Sequence, residues 1–234
     1  MQLFSAMADF HGSDDFETFF EIIIECIMTE SRSIGIMADS HGMPETITGA
    51  VGLFRREDCR LIYHLGDICD SGYPETVESC VSILKANNVT AIKGNNDHAV
   101  SINNSELNFS VISKNTTDYL SALPLVAEYD EALFTHSLPF AEKLGLSCMI
   151  RGMGMDEAAL FFKELPGKIL FRGHGHSPEI ISKESGGIAV RSILPGENTE
   201  LAGRLPCIIT CGSLAAGYCM IWKPGDKCVK CYLI

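Results

Sequence analysis

The sequence predicts an α/β domain built on two sheets, and three observations carry that prediction. Short β-branched runs alternate with helical patterns across the first hundred residues, as βαβ units on a parallel sheet do. From Glu179 onward strands predominate, ending in Tyr218–Trp222 and Val229–Leu233. Clusters of Asp, Asn, His and Gly follow directly on several of the strands, the position beyond a strand's carboxyl end where open α/β sheets bind ligands.

Taken in order, Ser33–Ala38 (SIGIMA) reads as a buried strand. Pro44 stands where a helix can begin, and that helix carries Ile47, Val51 and Leu53–Phe54 towards Arg55. Leu61–His64 is the next strand, and Pro74–Ala86 the next helix, with Val77, Val81 and Leu84 at helical spacing. Thr90–Lys93 is a third strand. The polar stretch that follows, to Thr117, reads as loop with one short helix beyond it. Leu125–Glu128 and Ala132–Thr135 form a hairpin about Tyr129–Glu131. Asp156–Leu165 is a helix opening on an acidic N-cap, and Lys168–Arg172 another strand.

Composition narrows the function. With 46% hydrophobic and 21% charged residues there is material for a core and no sign of bulk disorder. A net charge of −12 argues against a nucleic-acid coat, which needs clustered Lys and Arg. No run approaches the roughly 18 apolar residues of a spanning helix, and the first residues lack a basic start and a cleavage site. The expectation is a cytoplasmic protein with no membrane partner, its ten cysteines free thiols.

The chemistry sits in five groups. They are Asp39-Ser40-His41-Gly42, Gly66-Asp67, Gly94-Asn95-Asn96-Asp97, His136 and Gly173-His174-Gly175-His176, each after a strand. Alternate residues just past a strand point the same way, so D-x-H and H-x-H each converge on one point. Seven nitrogen and oxygen ligands exceed one tetrahedral site and suit two ions about 3.5–4 Å apart that share a carboxylate. Imidazole and oxygen ligands select two divalent transition-metal ions, manganese first, with iron, zinc, nickel or cobalt as alternatives.

The ordered series D-x-H, G-D, G-N-x-D, H and G-H-x-H resembles the calcineurin-like metallophosphoesterase family, nearest its small lid-free bacterial and archaeal phosphodiesterases. The resemblance spans residue 33 to about 223. It implies a four-layer α/β/β/α sandwich with two mixed sheets and the metals at the strand ends. It implies further that Asp39, His41, Asp67 and His176 hold one metal and that Asp67, Asn95, His136 and His174 hold the second, with Asp67 bridging. The implied activity is hydrolysis of a small phosphate ester by in-line attack of a metal-bridging hydroxide.

Many family members carry His after the ligand Asn, where it protonates the leaving group. Here that residue is Asn96, which has no proton to give. The departure favours phosphodiesters with good leaving groups over monoesters, with His98 as a substitute acid. Asp67, Asn95, Asn96 and His98 are the candidate catalytic residues, and Asn95 and Arg172 the candidate phosphate contacts, with Arg151 a further candidate. Gly212-Ser213 matches a family Gly-Ser block, although Thr210-Cys211 stands where Asn-Pro is usual. His64 reads as a strand residue satisfied by hydrogen bonds. Met149–Met155 is either a border of the substrate mouth or plain connecting loop.

MADFHG at 7–12 duplicates MADSHG at 37–42. Asp39 precedes Asp67 by 28 residues, room for one helix and a strand, whereas Asp9 precedes it by 58. Asp39 and His41 are therefore the ligands. Asp9, His11 and a helix Phe16–Ile27 belong to an N-terminal extension, residues 1–30, ahead of a domain at 31–234. That extension caps the domain or supports a contact in a homo-oligomer. Cys207 and Cys211 lie on one face of a strand, and Cys228 and Cys231 on opposite faces, which disfavours structural zinc. One alternative to an enzyme stands: the same fold used as a catalytically weak or inactive scaffold for a protein partner, as in the retromer sorting subunit of this family.

Overall fold

The computed structural model describes residues 33–107 and 112–234. The N-terminal unit expected around Asp9, His11 and Phe16–Ile27 lies outside the described residues. Twelve strands and six helices alternate along the described chain. The first part runs β1 (Ser33–Met37), α1 (Pro44–Arg56), β2 (Cys59–His64), α2 (Val77–Ala86), β3 (Thr90–Ala91), α3 (Asn95–Leu107) and α4 (Lys114–Ala122). The middle runs β4 (Val126–Tyr129), β5 (Ala132–Thr135), α5 (Ala141–Leu144), α6 (Met155–Glu164) and β6 (Ile169–Arg172). The last part is all strand: β7 (Glu179–Glu184), β8 (Gly187–Ser192), β9 (Asn198–Glu200), β10 (Cys207–Thr210), β11 (Tyr218–Lys223) and β12 (Cys228–Leu233).

They build two mixed six-stranded sheets, ordered β3-β2-β1-β11-β12-β9 and β4-β5-β6-β10-β7-β8. β1, β2 and β3 are parallel, and β11 joins β1 antiparallel. β5, β6 and β10 are likewise parallel, flanked by antiparallel β4 and β7. Three separate hydrophobic cores follow from the period of two along each strand. Ile34 and Ile36 of β1 point between the sheets, where they meet Phe134, Phe171 and Trp222. Met37, on the other face, packs with Ile47, Val51 and Phe54 of α1 and with Val77 and Val81 of α2. On the outer face of the second sheet, Leu133, Leu170 and Ile208 bury Phe161 and Phe162 of α6. Helix, sheet, sheet and helix thus stack in four layers, as the sequence predicts.

The inter-sheet core is aromatic. Tyr63 stacks on Phe134 with centroids 4.1 Å apart, and Phe171 lies 5.1 Å from Trp222. Trp222 is paired with Ile34, at the start of β1, and so sits at the opposite end of the sheet from Asp39. The buried cysteines in and just after β10–β12 divide between layers: Cys207, Cys211 and Cys231 face the inter-sheet core, Cys219 the helical one. All nine cysteines among the described residues are free thiols. No helix among the described residues is long and apolar enough to cross a membrane.

The polar stretch after β3 is a departure from expectation. Instead of loop it begins with α3, thirteen residues of α-helix in a sequence rich in Asn and Ser. Asp97, third in that helix, accepts the backbone N–H of Gly94 at 2.9 Å, one half of a capping box. The short helix expected beyond it is α4, whose N-cap Ser113 accepts from the Thr116 N–H.

Candidate metal centre

Every expected ligand group lies just past the carboxyl end of a parallel strand, on one rim of the sandwich. Backbone hydrogen bonds lace the post-strand segments together. Asp39 N–H donates to Gly66 O (2.9 Å), His41 N–H to Asp67 O (3.1 Å) and Gly42 N–H to Ile68 O (2.9 Å). Ser213 joins the two sheets at this rim: its hydroxyl donates to Asp39 O (2.9 Å) and its N–H to His176 O (3.1 Å). The Gly212-Ser213 block is therefore a brace behind the site.

Asp39, His41, Asp67, His174 and His176 all have left-handed backbone, with φ between 44° and 61°. The expectation of strand-like alternation is corrected accordingly: β1 ends at Met37, and the D-x-H pair converges through left-handed turns. Asp and His are among the few residues besides glycine and Asn that adopt this conformation with any frequency, still at a cost of roughly 1 kcal/mol or more each. Glycines make the room. A Cβ on Gly173 would stand 2.8 Å from Asp39 Oδ2 and 2.7 Å from the Ala38 Cβ.

Two ligand groups result. Asp39, His41 and His176 each bring one ligand atom within 4.8 Å of the others, and so do Asp39, Asp67 and His136. His41 Nε2 lies 3.2 Å from His176 Nε2. His136 Nε2 lies 3.1 Å from Asn95 Oδ1, 3.3 Å from His174 Nδ1 and 3.5 Å from Asp67 Oδ1. Asp39, Asp67 and His136 form a buried floor; His41, Asn95 and His174 are half-buried walls, and His176 is an exposed rim.

The donor set fits cations. His136 Nδ1 is 2.8 Å from Leu65 O, an atom that only accepts, so Nδ1 carries a hydrogen and the ring turns its Nε2 inward. There it faces an amide oxygen, a carboxylate and a second imidazole with no positive side chain between them. Asp39 Oδ1 is buried without a hydrogen-bond partner, the His176 ring standing 3.5 Å away. Burial opposes the charge of Asp39, but His176, His136 and the His174 N–H together outweigh it and hold the carboxyl below its usual range. His176 is raised in turn by Asp39, whereas burial, aided by His136 and Arg172, lowers His174.

Around the ligands stand groups whose roles only the structure reveals. Asp97 is fully buried and accepts the N–H groups of Asp67 (2.9 Å), Cys69 (3.1 Å) and Gly94 (2.9 Å). Burial, with Asp67 nearby, pushes its carboxyl up to about 6. Sequence reasoning assigned it no role, although its fixed place in G-N-x-D was visible. His64 is a satisfied strand residue on one side: Nε2 lies 2.9 Å from the Ser40 hydroxyl, which donates to Ile68 O, while Nδ1 has no partner. Burial pushes His64 down to about 3, so the ring is neutral.

One expectation is corrected. Arg172 does not face the opening. It is buried, with Nε on Ser137 O (3.2 Å), Nη2 on Ser137 Oγ (3.3 Å) and Nη1 on Thr210 Oγ1 (2.9 Å), and so holds the strand ends rather than a phosphate. Ser137 passes the restraint on by donating to Arg151 O (2.6 Å), which ties the 149–155 segment beside His136. Asn96 is engaged with Asp67 and Ser71, not free towards the opening. His98 is half-buried, and burial, with the Lys93 charge, lowers its pKa.

Residues 33–213 match the family model described as the calcineurin-like phosphoesterase superfamily domain. The chain belongs to that superfamily. As a calcineurin-like phosphoesterase it is similar in fold to a metallophosphoesterase from Sphaerobacter thermophilus, with a TM-score of 0.68 and 19% identity over 87% of this chain and 88% of that one. A solved structure described as a putative diadenosine tetraphosphatase gives a TM-score of 0.58 at 15% identity, covering 86% and 93%. Among curated proteins an uncharacterized protein of Methanocaldococcus jannaschii is 23% identical over 168 residues, 64% of this chain and 65% of the relative. The phosphoesterase family depends on divalent metals, and the residues gathered at this rim are its candidate ligands.

Proposed function

We propose that this phosphoesterase hydrolyses a small phosphodiester at a binuclear metal centre. Asp39, His41, Asp67 and His176 would hold one ion, and Asp67, Asn95, His136 and His174 the other. The observation that carries the reading is the convergence of Asn95 Oδ1, His174 Nδ1 and Asp67 Oδ1 on His136 Nε2, with the unpartnered Asp39 Oδ1 in the same cluster. Two divalent ions, when bound, acidify water and neutralise charge on the transferring oxygens. The chain's own part is positional. Leu65 O fixes the His136 ring, Asp97 anchors the Asp67 backbone, and Ser213 fixes Asp39 against the His176 loop. Exposed His176 marks the side from which substrate enters. Asn96 has no titratable proton, so a leaving group that departs without help is preferred, and that favours diesters of acidic alcohols.

The test is Mn²⁺-dependent hydrolysis of bis(p-nitrophenyl) phosphate beside p-nitrophenyl phosphate, with wild type and Asp67→Asn. Diester turnover by the wild type and a loss of at least about 10³-fold in the variant are expected, since one shared ligand serves both ions. Preference for the monoester would reveal a proton donor elsewhere, with His98→Ala the next variant. Uptake of two metals with neither ester cleaved would favour a scaffold that binds a protein partner.

A further inference from the structure

We infer that Asn96 is a positioning residue, a neutral clamp that orients both oxygens of the Asp67 carboxylate and ties them to Ser71, four residues further along the same loop between β2 and α2. The inference rests on the metal centre proposed above. Asn96 Nδ2 donates to Asp67 Oδ2 at 2.7 Å, and its backbone N–H donates to Asp67 Oδ1 at 2.8 Å. On the other side Asn96 Oδ1 accepts two bonds from Ser71, from N–H at 3.2 Å and from the hydroxyl at 2.7 Å. The Ser71 N–H can only donate, so the amide is turned with its oxygen to Ser71 and its NH₂ to Asp67. Its orientation is decided by the chain itself.

The count of lone pairs makes the clamp compatible with metal. A carboxylate offers about four acceptor positions, two per oxygen. Asn96 uses one on each, which leaves one on each oxygen for an ion. A neutral imidazole in this place would keep one donor and one acceptor but would set them across a larger, rigid ring rather than at the amide's spacing, and it would add a titratable proton. Through Ser71 the clamp reaches Asp70–Tyr73, a loop that also touches the D-x-H turn: a Cβ on Gly42 would stand 3.6 Å from Asp70 N. Tyr73 on this loop is 73% exposed. The Asp67 carboxylate and the later part of its own loop are thus held through one side chain.

Isothermal titration with Mn²⁺ tests this on full-length wild type, Asn96→Ala, Ser71→Ala, the double variant and Asn96→His, with folding checked by circular dichroism. Removing a group that orients a ligating carboxylate typically weakens metal about 10- to 100-fold, and that loss is expected for Asn96→Ala. Ser71→Ala should weaken Mn²⁺ by a smaller factor, and adding it to Asn96→Ala should cost nothing further, since the two act through one path. Asn96→His should fail to restore affinity. Wild-type affinity in Asn96→Ala, or losses that simply add in the double variant, would overturn the clamp while leaving the metal centre intact. Should Asn96→Ala not fold, wild-type affinity in Ser71→Ala overturns the link on its own. A wild type that takes up no Mn²⁺ removes the metal centre, and the clamp falls with it.

Discussion

At the scale of single residues, the ligands and their supports obey different rules. The candidate ligands are open to inference because each follows a strand and belongs to a residue type that coordinates metal; their supports are ordinary residues whose roles depend on who faces them. His64 shows the difference. Its buried neutral ring, at about 3 against the usual 6.5, binds no proton where the unfolded chain does, so between these values it makes stability rise with pH. Asp97, raised from 3.8 to about 6, works in the opposite sense: the folded state holds its proton longer, and stability falls as pH rises through that window. The two slopes oppose each other between about pH 4 and 6. In metal-free protein, His64→Gln is expected to unmask the Asp97 slope, so that urea stability falls with rising pH by about 1 kcal/mol per unit relative to wild type. Parallel curves for the two proteins would show that His64 is not the buried neutral group described. Arg172 was misread from sequence for a related reason: a strand end places a side chain near the rim without saying whether Ser137 and Thr210 have already engaged it.

Elements were legible where pattern and packing agree. α1, α2 and α6 carry apolar residues at helical spacing and bury them, and β1, β2, β5 and β6 are apolar on both faces because layers cover both. α3 was not legible, because its sequence lacks an apolar stripe and is poor in strong helix formers. Its start is fixed by Asp97 reaching back to Gly94 and across to Asp67 and Cys69, contacts with partners distant in sequence. The pairing of β1 with β11, and of β10 with β6, lay equally beyond reach, since nothing local sets which distant strand completes a sheet. How closely α1 approaches β1 can be tested at Gly35. A Cβ there would stand 2.5 to 2.8 Å from the Phe54 ring carbons, so Gly35→Ala is expected to destabilise by about 1–3 kcal/mol. Gly49→Ala, on an exposed face of α1 with only Ile234 Cδ1 within reach at 3.4 Å, should be neutral or stabilising by about 0.4–1 kcal/mol. Equal effects in chemical denaturation would contradict the packing.

Over the whole molecule, two sheets meet at one rim, and the loops of both contribute candidate ligands. Asp39, Asp67 and Asn95 come from the first sheet and His136, His174 and His176 from the second, so cations bound there would cross-link the layers. With Mn²⁺ at about 100 times its Kd, binding to the folded state alone contributes about 2.7 kcal/mol. For a chain of this size that corresponds to a melting temperature higher by about 5–10 °C, reversed by a chelator. An unchanged melting curve with metal demonstrably bound would mean that the unfolded chain binds it as well. The opposite end of the sandwich carries a consequence of its own. Trp222, the single tryptophan of the sequence, is fully buried among Phe134, Phe171 and Tyr129, level with Ile34 and so three residues of β-rise, about 10 Å, from the end of β1 at Met37. The protein therefore holds a built-in optical reporter of its core, at the end of the sandwich away from the rim, and its emission follows the packing of Phe134, Phe171 and Tyr129 around it.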